Sequence, residues 1–207
     1  MSKPLDLFPS EPGVAVTYKN RKGIVYYLGK TEIAAGRVRL IFSRRVPESP
    51  VSKVPQGYKI SESINGTVSL CKIASCPIKS EELEIVQQEI ERHKHLSHYK
   101  AEAKGKAITI YEPDGLISID TLKVISGNPA LSLDSEFFRE QLRQVRYNPV
   151  MCFVLLDGTR KFSARRMSYS GVGGWKLIAS GVLANLARTL IHHIGMESFF
   201  TLSSGWE

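Results

Sequence analysis

Asp157-Gly158 stands between two strand-like runs, residues 150–156 and 160–169, and an Asp-Gly pair in that setting closes a tight antiparallel hairpin. The first run is dense in apolar and β-branched residues, so it predicts a buried strand, and the hairpin is a central one. Asn65-Gly66 repeats the signal upstream, with Tyr58 and Ile60 before it and Val68 and Leu70 after it, Ile73 extending the return strand. Two such turns commit both halves of the chain to antiparallel sheet and leave the remaining segments to be fitted around them.

Upstream of Asn65, Val14, Val16 and Tyr18 alternate with small or polar residues, and residues 24–28 form an apolar run behind a turn at 20–23. A second turn at 34–36 leads to Val38, Leu40 and Phe42 on one strand face, with Arg37 and Arg39 on the other. Residues 44–55, rich in proline and serine, read as a surface loop, and the first ten to thirteen residues as a leader ending at Pro12-Gly13. Downstream, Ser80 with Glu81, Glu82 and Glu84 predicts a capped helix running to about residue 95, with Leu83, Val86 and Ile90 inward. Residues 107–111 read as a strand, with Ile108 and Ile110 on one face, whereas residues 116–125 give a mixed signal.

Asp134 caps a further helix, in which Leu133 and Phe138 form a staple and Asn148-Pro149 supplies the stop. Ser180 or Gly181 opens a last helix with Val182, Leu183, Leu186, Leu190, Ile191 and Ile194 inward and Gly195 as its C-terminal cap. Phe199, Phe200 and Leu202 complete the core. The expected fold class is α+β: an N-terminal antiparallel β lobe, residues 1–75, followed by an α+β lobe, residues 76–207, with helices packed on an antiparallel sheet. No repeat period and no low-complexity tract interrupts this plan.

A net charge of +8 across 207 residues favours an anionic partner, either nucleic acid or an acidic protein surface. The excess sits at the start, since residues 1–60 carry 11 basic and 4 acidic side chains. Three cysteines, Cys71, Cys76 and Cys152, form an odd set, and the opening residues hold Lys3, Pro4, Asp6 and Pro9 where an export signal needs an apolar run. A cytoplasmic location with free thiols is expected. No stretch approaches the roughly 20 apolar residues that span a bilayer, so a soluble chain with no membrane partner is expected too.

The leading candidate surface is basic: Lys19, Arg21, Lys22, Lys30, Arg37, Arg39, Arg44 and Arg45, interleaved with Tyr18, Tyr26, Tyr27 and Phe42. Cations at strand spacing suit a phosphate backbone, and exposed rings suit unpaired bases. The same residues also read as a solvated outer face that discourages edge pairing, with the rings turned inward. The glycine-rich stretch at 168–175 lacks the lysine and the following helix of a phosphate cradle, and it reads as a hairpin turn beside a core Trp175. His93, His95 and His98, and separately His192 and His193, fall at helix C-termini, where the helix dipole accounts for them. Neither these nor the Cys71/Cys76 pair completes a metal pattern, and no cofactor is expected. The carboxylates at 81–91 read as a solvated helix face, while Asp114, Asp120 and Asp157 are left free to meet in space.

The stretches Tyr26-Tyr27-Leu28-Gly29-Lys30-Thr31, Pro55-Gln56-Gly57-Tyr58, Asn65-Gly66, Pro149-Val150-Met151-Cys152-Phe153-Val154-Leu155 and Gly195-Met196-Glu197-Ser198-Phe199 resemble, in this order, an uncharacterised bacterial protein family with no assigned activity. The resemblance implies one two-lobe architecture and assigns no catalytic residue. The reading that follows is a non-catalytic binding protein whose basic β lobe engages nucleic-acid backbone. The alternatives are an enzyme using His and Asp side chains between the lobes, or a protein-interaction subunit without chemistry.

Overall fold

The computed structural model describes residues 14–33, 37–73, 76–115, 136–169 and 173–202, apart from the side chains of Ile33 and Phe138. The chain divides into two compact units, Met1–Ala74 and Ser75–Glu207, and its fold class is α+β with antiparallel sheets throughout the described residues.

The described residues of the N-terminal unit hold five strands in two sheets. β1 (Thr17–Lys19), β2 (Val25–Ile33) and β3 (Arg37–Ser43) pair in that order, and β4 (Tyr58–Glu62) pairs with β5 (Val68–Lys72) across the Asn65-Gly66 turn. Gly66 takes φ +78°, the left-handed conformation that such a turn requires of its glycine. Asn20, 5% exposed, ties the two sheets together. Its Oδ1 accepts from the amides of Lys22 at 3.0 Å and Ile24 at 2.8 Å, closing the β1–β2 turn, and its Nδ2 donates to the Gly66 carbonyl at 2.6 Å. Leu28, Tyr26, Val16 and Val68 are buried and form this unit's small core. Loop residues 44–50 fold back over β2, where Pro50 bridges to Gly29. A Cβ on Gly29 would lie 2.4 Å from Cβ of Pro47, so only glycine admits this close approach.

The C-terminal unit is built on a five-strand meander, β6 (Lys100–Lys104), β7 (Ala107–Asp114), β8 (Arg146–Leu155), β9 (Lys161–Ser168) and β10 (Gly174–Val182), each strand hydrogen-bonded to the next. Two helices, α1 (Ser80–Glu91) and, after β10, a helix at Leu183–Leu190, pack against each other on one face of the sheet. Between β7 and β8 lies α2 (Glu136–Gln144). The Leu183–Leu190 helix is therefore α3, and a single turn at Ser198–Thr201 is α4. Ile108, Ile110, Met151, Phe153, Phe162 and Ala164 are each 1% exposed or less and meet Val86, Ile90, Leu186, Leu190 and Ile191 from the helices. Each such large side chain withdrawn from water contributes about 1.5 to 3 kcal/mol, which is why alternate strand positions and one helix stripe define the unit.

Several boundaries differ from those read in sequence. Ser80 is the first helical residue of α1 rather than its cap; Lys79 takes the cap position, and its amide donates to the Glu82 carboxylate at 2.8 Å. That helix stops at Glu91, and residues Lys94–Leu96 form a separate 3-10 turn. Pro149 lies inside β8 rather than before it. It sits where the β7–β8 register shifts, and a bulge accommodates a residue that has no amide to donate. Strand β10 runs through Val182, which is 54% exposed, so the last helix begins at Leu183 and not at Ser180 or Gly181. Trp175 and Phe200, expected inside, are 38% and 67% exposed. The leader, the turn at 34–36, residues 116–135 including Asp120, Leu133 and Asp134, and residues 170–172 lie outside the described residues.

Candidate functional site

In the N-terminal unit strand register sorts the eight candidate cations. Thr31 pairs with Arg39, Ile33 with Arg37 and Val25 with Lys19, so Lys19, Arg37 and Arg39 stand on one face, opposite Leu28, Leu40 and Phe42. Arg37 and Arg39 are neighbours along that face, separated by about 7 Å of strand. Lys30 pairs with Leu40 and so falls on the other face. Arg44 lies beyond β3, with its guanidinium carbon 5.9 Å from the Tyr26 ring centre, and Arg45 lines a polar groove with Lys30, Glu32, Glu48 and the Pro47 loop. Arg21 is set apart from the rest, because its backbone amide donates to Glu62 Oε1 at 2.9 Å and its Nε lies 3.9 Å from the same oxygen. Lys22 is only half exposed and packs over Gly66.

The interleaved rings do not form an exposed stacking platform. Tyr26 is 7% exposed with its hydroxyl directed at the Gly66 carbonyl, and Tyr18 donates to Glu62 Oε2 at 3.0 Å, its pKa raised by burial first and then by this carboxylate. Tyr27 and Phe42 are half-buried. The surface that remains is therefore cationic and largely without aromatic faces.

The C-terminal unit contains a cavity of about 400 Å³ at one end of its sheet. Alternation builds it. The row Ile108, Ile110, Glu112 on β7 and the row Phe162, Ala164, Arg166, Ser168 on β9 continue the helix-bearing face from apolar core into polar residues at the sheet's end. The walls are Val150, Met167, Ile194 and the Phe199/Phe200 pair, which meet edge to face at 5.8 Å between ring centres. Gly195, at φ +80°, turns the chain from the 3-10 turn Ile191–His193 towards α4 and so brings Phe199 over the opening. Tyr169 reaches across to donate to the Pro149 carbonyl at 3.0 Å.

Two opposite charges line this cavity without pairing. Arg166 donates Nε to the Leu202 carbonyl at 3.1 Å, and among the described residues no carboxylate meets its terminal nitrogens. Glu112 is half-buried and has no cationic partner among the described residues; burial first, and then the charge of Asp114, raise its pKa. Its field reaches Tyr99 and Tyr169, whose hydroxyls are held above their usual range by burial and by this carboxylate. Sequence reasoning missed this site. The usable signal was the switch from apolar to charged residues within one alternating row, but only pairing of the three strands shows that the two switches coincide.

The two histidine groups, 97 residues apart, come together beneath α1 and α3. The His93 ring lies 5.8 Å from His95 and 6.2 Å from His192, whose ring is in turn 3.8 Å from His193. His93 Nε2 is 3.5 Å from the buried Glu89 carboxylate, which also takes the Arg92 guanidinium at 2.8 Å. His95 donates Nε2–H to the Ile194 carbonyl at 3.1 Å, and His193 Nδ1 lies 2.8 Å from Ser198 Oγ. These contacts tie α1 to the segment that closes the cavity. Among the described residues no group of three or more His, Cys, Asp or Glu is placed to hold a metal.

Glu89 and Glu82 correct the reading of residues 81–91 as a solvated face, since Glu89 is 8% exposed and Glu82 is ion-paired with Arg160. Asp157 pairs with Lys106 at the hairpin end. Cys71, Cys76 and Cys152 are free thiols, and burial pushes Cys152 up to about 11. Among the described residues no helix is long and apolar enough to cross a membrane. Set against known families, curated proteins and solved structures, the chain matches none, so the resemblance to a bacterial family rests on the quoted stretches alone.

Proposed function

We propose that the N-terminal unit binds a polyanion, a nucleic-acid backbone first of all, through Lys19, Arg37 and Arg39, with Lys30, Arg44 and Arg45 at the margins. One observation carries this reading: these six cations are exposed and none is ion-paired among the described residues, in contrast to Arg21 with its Glu62. An unpaired surface cation keeps its full attraction for phosphate, and neutralising each phosphate releases condensed counterions. Because Tyr26 is buried and Tyr18 is bonded to Glu62, and Tyr27 on the arginine face is half-buried, the contacts fall mainly on phosphates, and such contacts position a protein without reading sequence. Glu32 and Glu48 lie in the groove beside Lys30 and Arg45, so Lys19 and the arginines of β3 dominate.

Fluorescence anisotropy with single- and double-stranded oligonucleotides tests the reading. With about three phosphates neutralised, affinity for duplex should fall with salt at a log–log slope of about −3. Arg37→Glu with Arg39→Glu should reduce the size of that slope by about two and weaken every sequence alike. Glu81→Lys with Glu84→Lys on α1 should not weaken binding. Failure to bind at low salt, where the electrostatic attraction is strongest, overturns the proposal.

A further inference from the structure

The cavity at the sheet end of the C-terminal unit has the size and lining of a small-molecule site, mostly apolar with a few converging polar groups. Its two charges set the chemistry of the occupant. Glu112 on β7 and Arg166 on β9 stand on strands separated by β8, about 10 Å apart across the sheet, and face different β8 residues, Asn148 and Met151, so among the described residues no ion pair joins them. A half-buried charge without an opposite charge beside it is costly, and among the described residues neither Glu112 nor Arg166, which bonds the Leu202 carbonyl, has one. A molecule with only a carboxylate would satisfy Arg166 but add a second negative charge near Glu112 and Asp114. One with only an amine would satisfy Glu112 and crowd Arg166. An occupant carrying both signs relieves both, and the Val150, Met167, Ile194 and Phe199 walls take an apolar side chain.

We propose that this cavity binds a small zwitterion with an apolar side chain, an apolar amino acid or a short peptide with free termini, its carboxylate on Arg166 and its ammonium on Glu112. The raised pKa of Glu112 is consistent with an acid awaiting a cation. Tyr169, fixed to the Pro149 carbonyl, and Ser168 on the same row as Arg166 border the charged end. The site is separate from the polyanion surface, and its failure or success leaves that reading untouched.

Calorimetric titration of the full chain with L-leucine, leucyl-leucine, 4-methylpentanoate and 3-methylbutylamine, at about pH 7.5, tests it. At least one of the two zwitterions should bind about tenfold or more tighter than either single-charge analogue. Leucine and leucyl-leucine distinguish the amino acid from the peptide as the source. Glu112→Gln should bring the zwitterion down to the level of the carboxylate, and Arg166→Gln should bring it down to the level of the amine. Arg166→Lys should keep the order. The ranking is read among ligands within each variant, so a general loss of stability does not imitate it. Equal binding of all four, preference for the carboxylate or the amine alone, or no heat with any of them up to about 10 mM overturns the proposal.

Discussion

Replacing Asn20 by alanine removes three hydrogen bonds from a side chain that is 5% exposed and that joins the two sheets beside the bonds of Tyr18 and Arg21 to Glu62. Each bond contributes about 1 kcal/mol net, and a buried group left without a partner costs about 1 to 3 kcal/mol. The Gly66 carbonyl keeps only the longer 3.4 Å contact from the Tyr26 hydroxyl, whereas the amides of Lys22 and Ile24, both half-buried, regain water in part. The expected loss is therefore about 2 to 4 kcal/mol. Native-state amide hydrogen exchange read by mass spectrometry locates the effect. Protection in peptides covering β2 and β5 should fall by roughly 30- to 800-fold, since each 1.4 kcal/mol is a factor of ten. A fall of under about threefold for the alanine variant would refute the view that Asn20 joins the hairpins.

Leu186→Ala on α3, at a position 7% exposed and set in the core, should cost about 2 to 5 kcal/mol in urea melts followed by tryptophan fluorescence, and a cost below about half a kcal/mol would remove α3 from its organising role. In the native protein the exposed Cys76 should react first with a thiol reagent and Cys152 should stay silent until unfolding; early modification of Cys152 would contradict its burial and its thiol pKa of about 11. Because the folded state raises the pKa of Glu112, that group stabilises the fold when protonated and loses this contribution as pH rises through the folded value. Glu112→Gln should accordingly raise the melting temperature at neutral pH, and the gain should shrink as pH falls through that raised value towards the ordinary carboxylate range. A gain that does not change with pH would show that charge is not its cause.

How much of this was legible before the structure depends on the range of the physics involved. Turn chemistry is local: Asn65-Gly66 and Asp157-Gly158 need left-handed glycine wherever they occur, and both hairpins form with Gly66 at φ +78° and Gly158 at φ +69°. Period-two alternation is local too, so the separation of Arg37 and Arg39 from Val38 and Leu40 could be read from spacing alone. Strand β6 was not legible, because Lys-Ala-Glu-Ala-Lys is a helix-forming composition that becomes a strand only by pairing Ala101 with Ile110 and Ala103 with Ile108. Pro149 looked like a stop since proline cannot donate to a ladder, and it was an extra residue in β8 itself, Val150, where the register with β7 shifts, that made room for it. The meeting of Glu112 with Arg166, and of His93 with His192, joins residues 54 and 99 positions apart. Sequence determined which face each of them would take on its own strand or helix. The order of strands and the packing of α1 on α3 decided which faces came together, because the free energy of that choice lies in burying Phe153, Phe162 and their neighbours, far from the polar residues it happens to assemble.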